Sequence, residues 1–177
     1  MAEDSVLDSL LSKLLATDDP TEKAAIVAES AFAQFPATVA LVARRCIILR
    51  WFDETIVTAL LDTLLPMERP AVAQTVMATL TTLPFVERLV WGLAYHDQTR
   101  MGLLARTPAD VLQHAAALAG PAYNTHANPP MARVEVLYCA VVSGQVDVAT
   151  QMLEALLEDA GRREDWQAPD RNSENTS

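Results

Sequence analysis

Lysine is almost absent from this chain of 177 residues, because only Lys13 and Lys23 occur and no lysine follows them. Glycine is also scarce, and none of the five glycines lies in a GxxxxGK(S/T) loop, in which backbone N–H groups and a lysine hold the phosphates of a nucleotide. The chain therefore lacks the residues with which P-loop proteins bind and hydrolyse nucleotide.

Cysteine and histidine are too few and too scattered to predict a metal centre. Cys46 and Cys139 lie far apart in apolar helical sequence, and His114 and His126 have neither i, i+4 spacing nor cysteine neighbours. We interpret both cysteines as small buried side chains in a reducing compartment, with the cytoplasm as the default location. No metal ion and no other cofactor is expected.

A concentrated positive surface is also missing. Residues 1–43 carry a net charge of −5, residues 44–106 one of +1 and residues 107–177 one of −6, which together give the formal net charge of −10. Binding of nucleic acid or of an anionic membrane surface requires a basic face, so we expect neither. No apolar run reaches the roughly 18 residues of a membrane span, and acids stand where a secretory signal has basic residues.

Helical patterns dominate what is present, and 51% of the residues are hydrophobic. Apolar residues recur at helical spacing from the first residues onward, and we predict a mainly helical, all-α fold with one short β-hairpin. Asp4 or Ser5 is the expected N-cap of the first helix. Further helices are predicted in "DDPTEKAAIVAESAFAQF", "PATVALVARRCIILRWF", "ETIVTALLDTLL" and "AVAQTVMATLTTL".

The stretch "FVERLVWGLAYH" differs from its surroundings, because it is rich in aromatic and β-branched residues. It predicts a β-hairpin that turns at Gly92, with Trp91 exposed at its tip. Asp97 is expected to cap the helix that follows.

The second half of the chain predicts a pair of antiparallel helices. Pro108 separates two helices, and "PAYNTHANPP" has the composition of a loop. Two helices then flank the turn at Gly144 and Gln145, and Gly161 suits the end of the second. Such an αα-hairpin is the unit of solenoid repeats, although a single hairpin shows no period.

Two stretches, "LVARRCIILRWFDETIVTALL" and "LPFVERLVWGLAYHDQTRMGLLA", resemble the winged-helix segment that follows the nucleotide-binding core of the bacterial signal-transduction ATPases called STAND proteins. The order helix, helix, helix, hairpin, helix over residues 37–105 is that of a winged helix-turn-helix. Proteins of that family often carry tetratricopeptide repeats further along, and the helical hairpin at 131–160 is similar to the start of such a region.

The resemblance implies four segments. Residues 1–35 are N-terminal helices that pack on the core, 36–106 a winged-helix-like module, 107–161 a repeat-like helical hairpin region and 162–177 a mobile acidic tail. His96, with Asp97 and Arg100, is similar to the element that helps to hold ADP in the family. Because the phosphate-binding loop is absent, His96 keeps that role only if a partner ATPase supplies the nucleotide.

No set of residues predicts a catalytic site, so we expect a protein that is not an enzyme. The leading hypothesis is an adaptor or regulatory module that binds another protein, on the resemblance an ATPase or effector of a bacterial signalling or defence system. The candidate partner-binding residues are Arg44, Arg45, Trp91, His96 and Arg100.

Two alternatives stay open. One is a winged-helix transcription regulator, although the helix that we assign to the DNA groove, "DETIVTALLDTLL", is acidic and has no lysine or arginine. The other is a structural subunit that forms a homodimer through the stripe Leu7, Leu10, Leu11 and Leu14.

Overall fold

The computed structural model describes residues 2–126 and 129–167, with side chains over 7–126 and 131–161. The described chain is helical apart from one two-stranded sheet, so the predicted fold class is confirmed. The helices are α1 Ala2–Leu15, α2 Pro20–Phe32, α3 Ala37–Arg45, α4 Glu54–Leu60, α5 Arg69–Leu80, α6 Asp97–Leu104, α7 Ala109–Asn124, α8 Pro129–Val142 and α9 Val146–Gln167.

Two aspartates begin helices as their sequence context predicts. The side chain of Asp19 accepts a hydrogen bond from the backbone N–H of Thr21 at 2.8 Å, and Pro20 occupies the first position of α2. The side chain of Asp53 accepts from Ile56 at 3.0 Å and caps α4. In α1, by contrast, the helix already begins at Ala2, so the prediction that Asp4 or Ser5 caps it is wrong.

The long helix predicted over residues 36–52 is interrupted. Helix α3 ends at Arg45, a single 3₁₀ turn follows at Cys46–Ile48, and the chain then runs extended towards Phe52. Helix α4 likewise ends at Leu60, five residues earlier than its pattern predicts. Long-range contacts override the helical propensity at both places, because Phe52 pairs with a distant strand and Arg45 binds the carbonyl oxygen of Leu60.

The predicted β-hairpin is present, but its turn lies earlier than expected. Strands β1 Val86–Leu89 and β2 Gly92–Tyr95 pair antiparallel, and Val90 and Trp91 form the turn, so Gly92 opens β2 instead of turning the chain. Phe52 adds a third partner, because its N–H and C=O both pair with Leu93 at 2.8 Å. A Cβ on Gly92 would lie 2.4 Å from the carbonyl oxygen of Phe52, so this approach requires glycine.

Helix α6 follows directly after β2, and Asp97 is its first residue. The N-cap position belongs to His96, which makes no side-chain capping bond, so the expected cap by Asp97 is wrong. Helix α6 crosses α2 so closely that a Cβ on Gly102 would lie 2.3 Å from the carbonyl oxygen of Thr21.

The second half of the chain is more helical than predicted. Pro108 separates α6 from α7, but α7 continues through Pro121 to Asn124, so most of the expected loop "PAYNTHANPP" is wrong. The buried Tyr123 explains the extension, because its hydroxyl donates to the carbonyl oxygen of Trp51 and holds this turn of α7 on the core. Residues 127 and 128 lie outside the described residues.

Helix α9 also continues past its predicted end. Gly161 lies within the helix, which reaches Gln167. A glycine inside a helix costs only about 1 kcal/mol relative to alanine, so one glycine does not have to end it. The predicted tail is therefore helical over its first residues, and the rest of it, residues 168–177, lies outside the described residues.

The core is centred on aromatic side chains from four separate segments. Phe32 of α2, Phe52, Phe85 and Tyr95 of β2 form one ring cluster with centroid distances of 5.6–6.3 Å. The buried cluster continues without a break through α7 to Cys139 of α8. The division of the chain into four segments stays a prediction.

Candidate interaction surfaces

The five residues predicted to bind a partner do not form one surface. Arg44 and Arg45 are neighbours on α3 but point in different directions. Arg44 is exposed, and its guanidinium lies 5.9 Å from the ring centroid of Phe32. Arg45 is only 7% exposed and binds the carbonyl oxygen of Leu60 and the carboxylate of Asp62.

Arg100 lies on α6 and acts as an internal connector. Its guanidinium donates to the backbone carbonyl oxygens of Ile48 and Leu49 at 3.0 and 3.1 Å, and to the hydroxyl of Tyr138 at 3.3 Å. These bonds satisfy the end of the 3₁₀ turn and join it to α8. Arg45 and Arg100 are thus committed to contacts within the fold.

His96 and Trp91 lie near opposite ends of β2. His96 is exposed, and its backbone N–H donates to the carbonyl oxygen of Phe85 at 3.0 Å. Trp91 is half-buried against the core instead of exposed at the tip, and its Nε1 is shielded from solvent with no hydrogen-bond partner among the described residues. The exposed tip of the β-hairpin is Val90.

A buried carboxylate lies where α8 meets the segment before α4. Glu135 is 3% exposed, and its Oε1 binds Nε of Arg50 at 2.9 Å, whereas its Oε2 has no partner among the described residues. Burial raises the pKa of Glu135, and attraction to Arg50 and Arg100 only partly offsets that rise. Arg50 also lies 5.3 Å from the ring centroid of Tyr138.

A second carboxylate, Asp62, joins the end of α4 to α7. Its two oxygens bind Arg45 at 2.5 Å and His114 at 2.8 Å. Burial alone would raise the pKa of Asp62, but the hydrogen bonds and charges of Arg45 and His114 outweigh it and leave the pKa below its usual range. Asp53, the cap of α4, likewise binds His126 at 2.7 Å.

The most prominent exposed apolar surface is on the helical hairpin α8–α9. We call it the outer face, and its side chains range from 42% to 72% exposed: Val134 and Val141 of α8 with Val146, Leu153 and Leu157 of α9. In α9 these residues recur at seven- and four-residue intervals, so they form one stripe.

The opposite side of the same hairpin is covered. Ala132, Val136, Cys139 and Ala140 of α8 are buried, and helix α7 packs on this helix. Val148 of α9 lines a narrow crevice with Ala116 and Gly120 of α7. Since Val148 is directed towards α7, the stripe of Val146, Leu153 and Leu157 lies on the other side of α9. The hairpin is therefore apolar on both sides, and α7 covers the α8 part of one of them, whereas Val148 of α9 stays 39% exposed there.

Acidic side chains border the outer face. Asp147, Glu154 and Glu158 are exposed and lie along one line of α9, at seven- and four-residue intervals beside the leucine stripe. Arg133 of α8 binds Asp159 of α9, which neutralises its charge. Among the described side chains of α8 and α9, the border of the outer face is therefore negative.

Helix α1 presents a second apolar surface. Leu7, Leu11 and Leu15 are exposed, whereas Leu10 and Leu14 are half-buried, so the predicted leucine stripe divides between two sides of the helix. A groove of about 800 Å³ lies between α1 and α2. Arg106 closes one end of it and binds Glu22 and Glu29.

The described residues contain no group of three or more histidine, cysteine or carboxylate side chains arranged for a metal ion. Cys46 and Cys139 are both buried, and burial raises the pKa of Cys139 to about 12. A thiol with so high a pKa is a poor nucleophile near neutral pH.

None of the helices in the described part of the chain combines the length and apolarity that crossing a bilayer requires.

The outer face was not predicted from the sequence. The signal was present, because Val146, Thr150, Leu153 and Leu157 repeat every three or four residues beside a second stripe of Ala149, Met152 and Leu156. A helix with two apolar stripes is typical of a layer that packs on both sides.

Comparisons with protein families, with curated proteins and with solved structures gave no significant match.

Proposed function

We propose that this protein is a non-catalytic adaptor or regulatory module that binds another protein through the outer face of α8–α9. The carrying observation is the exposure of five valine and leucine side chains on one side of the hairpin, opposite the side on which α8 packs against α7. Contiguous exposed apolar surface of this kind is typical of protein-binding sites. Stacked helical hairpins bury such faces against the next layer, which a partner can provide.

We further propose that residues 36–106 are a winged-helix-like module. The bridge between Phe52 and Leu93 supports this proposal, because it pairs the segment between α3 and α4 with strand β2 of the β-hairpin. In such a module α5, which directly precedes the β-hairpin, would be the counterpart of the DNA-reading helix, a role that the sequence pattern had led us to assign to α4.

Helix α5 gives no support to the transcription-regulator alternative. Its one basic residue, Arg69, donates to the backbone carbonyl oxygens of Leu64 and Asp62. The exposed side chains of α5 include Gln74 and Thr75, which are uncharged. Phosphate neutralisation would therefore lack a basic strip on this helix.

The proposed partner is an ATPase or effector of a signalling system, and the proposed location is the cytoplasm. The exposed His96 supports a nucleotide-linked contact, since its imidazole is accessible at the start of α6. Of the five candidate residues, Arg44 and His96 are exposed and so suit direct contact. Trp91 is half-buried in the turn of the β-hairpin, so only the exposed part of its side chain is accessible to a partner.

The test is capture of proteins from the native host's lysate with the purified chain and a matched pair of double variants. Leu153→Glu with Leu157→Glu introduces charge into the outer face, whereas Leu65→Glu with Met67→Glu introduces the same charge at two exposed apolar positions elsewhere. We expect a partner that the control variant retains and the outer-face variant loses. Capture that is identical for both variants, or no capture by the wild-type chain, would refute the proposal.

A second candidate function, self-assembly into a structural subunit, has one observation in its favour. Leu7, Leu11 and Leu15 expose a leucine stripe on α1, which could pair with a second copy. Deletion of residues 1–18 should then convert a dimer into a monomer in light scattering. An unchanged mass would eliminate α1 as the dimer contact.

A further inference from the structure

We propose that the outer face of α8–α9 binds one amphipathic α-helix of a protein partner, and that lysine or arginine residues border the apolar stripe of that helix. This inference rests on the proposed function and specifies the chemistry of the partner. It follows from the shape of the outer face and from the charges along its edge.

The spacing of the outer face matches a helix. Val146, Leu153 and Leu157 follow the seven- and four-residue intervals of a heptad stripe, and Val134 and Val141 of α8 are seven residues apart. Two parallel stripes on adjacent helices leave a groove between them, and a third helix packs into such a groove at an axial distance of about 8–10 Å. A partner with leucines at heptad spacing would present matching side chains.

The charge of the border selects the partner's flanking residues. Asp147, Glu154 and Glu158 form a line of three exposed carboxylates beside the leucine stripe. Arg133 of α8 is a basic residue in this hairpin, but its guanidinium already binds the carboxylate of Asp159. A bound helix that carried acids on this side would meet like charge, whereas lysine or arginine would pair with the three carboxylates.

The same charges argue against a second copy of this chain. Two outer faces in contact would bring two lines of carboxylates into one interface. Docking of α1 from a second copy would bring Asp8, which lies beside its exposed leucines, against the same border. Like-charge contacts of this kind disfavour self-association, so a foreign helix with basic flanks is the better fit.

The test uses three synthetic peptides of about 18 residues, long enough to cover five helical turns. The first has leucines in a heptad stripe with bordering lysines, the second replaces the lysines with glutamates, and the third has the composition of the first in scrambled order. Binding to the full-length chain is measured by titration calorimetry, and peptide helicity by circular dichroism. We expect only the lysine peptide to bind, to gain helicity on binding and to bind more weakly as salt rises.

Two variants of the chain separate apolar docking from charge attraction. Leu153→Glu with Leu157→Glu should weaken the lysine peptide by about tenfold or more, although it adds two negative charges, because buried leucine contacts are lost. Glu154→Lys with Glu158→Lys should reverse the preference towards the glutamate peptide. Leu65→Glu with Met67→Glu is the matched control and should leave the affinity unchanged.

Several outcomes would overturn the inference. Equal binding of the ordered and scrambled lysine peptides, or tighter binding by the Leu153→Glu, Leu157→Glu variant, would show attraction of charge alone. A dimer that this variant dissociates would show that a second copy occupies the face. If no peptide binds while partner capture still depends on Leu153 and Leu157, the inference fails and the proposed function stands.

Discussion

The region from α2 to α6 and the helical hairpin α8–α9 differ in which side chains they bury and which they leave in solvent. In the first region, aromatic rings fill the core, and two arginines, Arg45 and Arg100, point inward to backbone carbonyl oxygens. In the helical hairpin, the buried side is mostly alanine and cysteine with Val136, and five other valines and leucines face solvent. The first region thus buries its aromatic side chains in its own core, whereas the hairpin leaves one apolar side exposed to solvent.

This difference separates residues that hold the fold from residues available for function. Polar residues of the first region should matter for stability, because they satisfy buried carbonyl groups. Apolar residues of the outer face should matter little for stability, because they remain in solvent. For Arg45 and Arg100 on one side and the leucines of the outer face on the other, the usual expectation that leucine stabilises the fold and arginine serves the surface is therefore inverted.

The largest effect is expected from Arg100→Met. Loss of the guanidinium leaves the carbonyl oxygens of Ile48 and Leu49 without their donor, so the free energy of unfolding should fall by about 2–4 kcal/mol. Leu157→Gln, on the outer face, should change it by less than about 0.5 kcal/mol. Urea unfolding followed by circular dichroism measures both. Equal losses for the two variants would contradict the comparison.

A smaller effect distinguishes two glycines that both lie within helices. Gly102→Ala places a Cβ 2.3 Å from the carbonyl oxygen of Thr21, so α2 and α6 must separate, at a cost of about 1–3 kcal/mol. Gly161→Ala meets no atom within 4 Å and should instead stabilise α9 by about 0.5–1 kcal/mol.

Thermal unfolding of the two variants therefore provides a matched test, since the substitution is the same. A lower midpoint for Gly102→Ala together with a higher midpoint for Gly161→Ala is the expected result. Stabilisation by both would mean that the crossing of α2 and α6 tolerates a wider separation than the structure has.

The sequence was sufficient for those features that local patterns determine. Helix periodicity, the Asp19 and Asp53 caps, the β-hairpin and the turn at Gly144 follow from residues within a few positions of each other. Errors occurred where distant residues decide the structure. The early end of α4 depends on Arg45, and the extra turn of α7 depends on Tyr123 bonding to Trp51. Such contacts have no local signature.

The candidate surface was harder to predict than the fold. Arg45 and Arg100 were predicted to bind a partner, yet they bind backbone carbonyl oxygens 15 to 52 positions away in the chain. Trp91 was expected at the tip, but a two-residue turn places Val90 there. The two stripes of α9 were readable, but only the packing of α9 on α8 shows which one remains exposed.

The third prediction concerns Asp62, whose folded-state pKa is lowered by Arg45 and His114. A lowered pKa means that the ionised carboxylate stabilises the fold above its usual pKa of about 4, and that this contribution disappears as pH falls through the lower folded-state value. Asp62→Asn should therefore be less stable than the wild type at pH 7, by about 1 kcal/mol.

The difference between the Asp62→Asn variant and the wild type should narrow as the pH falls below about 4. Urea unfolding between pH 3 and pH 7 gives the comparison. The matched control is Asp110→Asn, an exposed aspartate in the first turn of α7, which should lose less at pH 7. A constant difference across the pH range would contradict the role assigned to Asp62.

Glu135 should behave in the opposite way, and its effect should be the smallest. Its folded-state pKa is raised by burial, so its contribution to stability is full below the usual pKa of about 4.3 and is lost as pH rises through the folded-state value. Glu135→Gln, which resembles the neutral acid, should therefore be slightly more stable than the wild type at pH 7 and equal to it near pH 4. Arg50 is half-exposed, so the ion pair lost with Glu135 contributes little.

Arg50→Gln should lower stability at pH 7 in the wild-type background, where Glu135 then lies buried without its ion pair, but not in the Glu135→Gln background. If Glu135→Gln is instead less stable at pH 7, the Arg50 ion pair outweighs the burial of the carboxylate, and this side of α8 is held by charge as firmly as the end of α4 is held by Asp62.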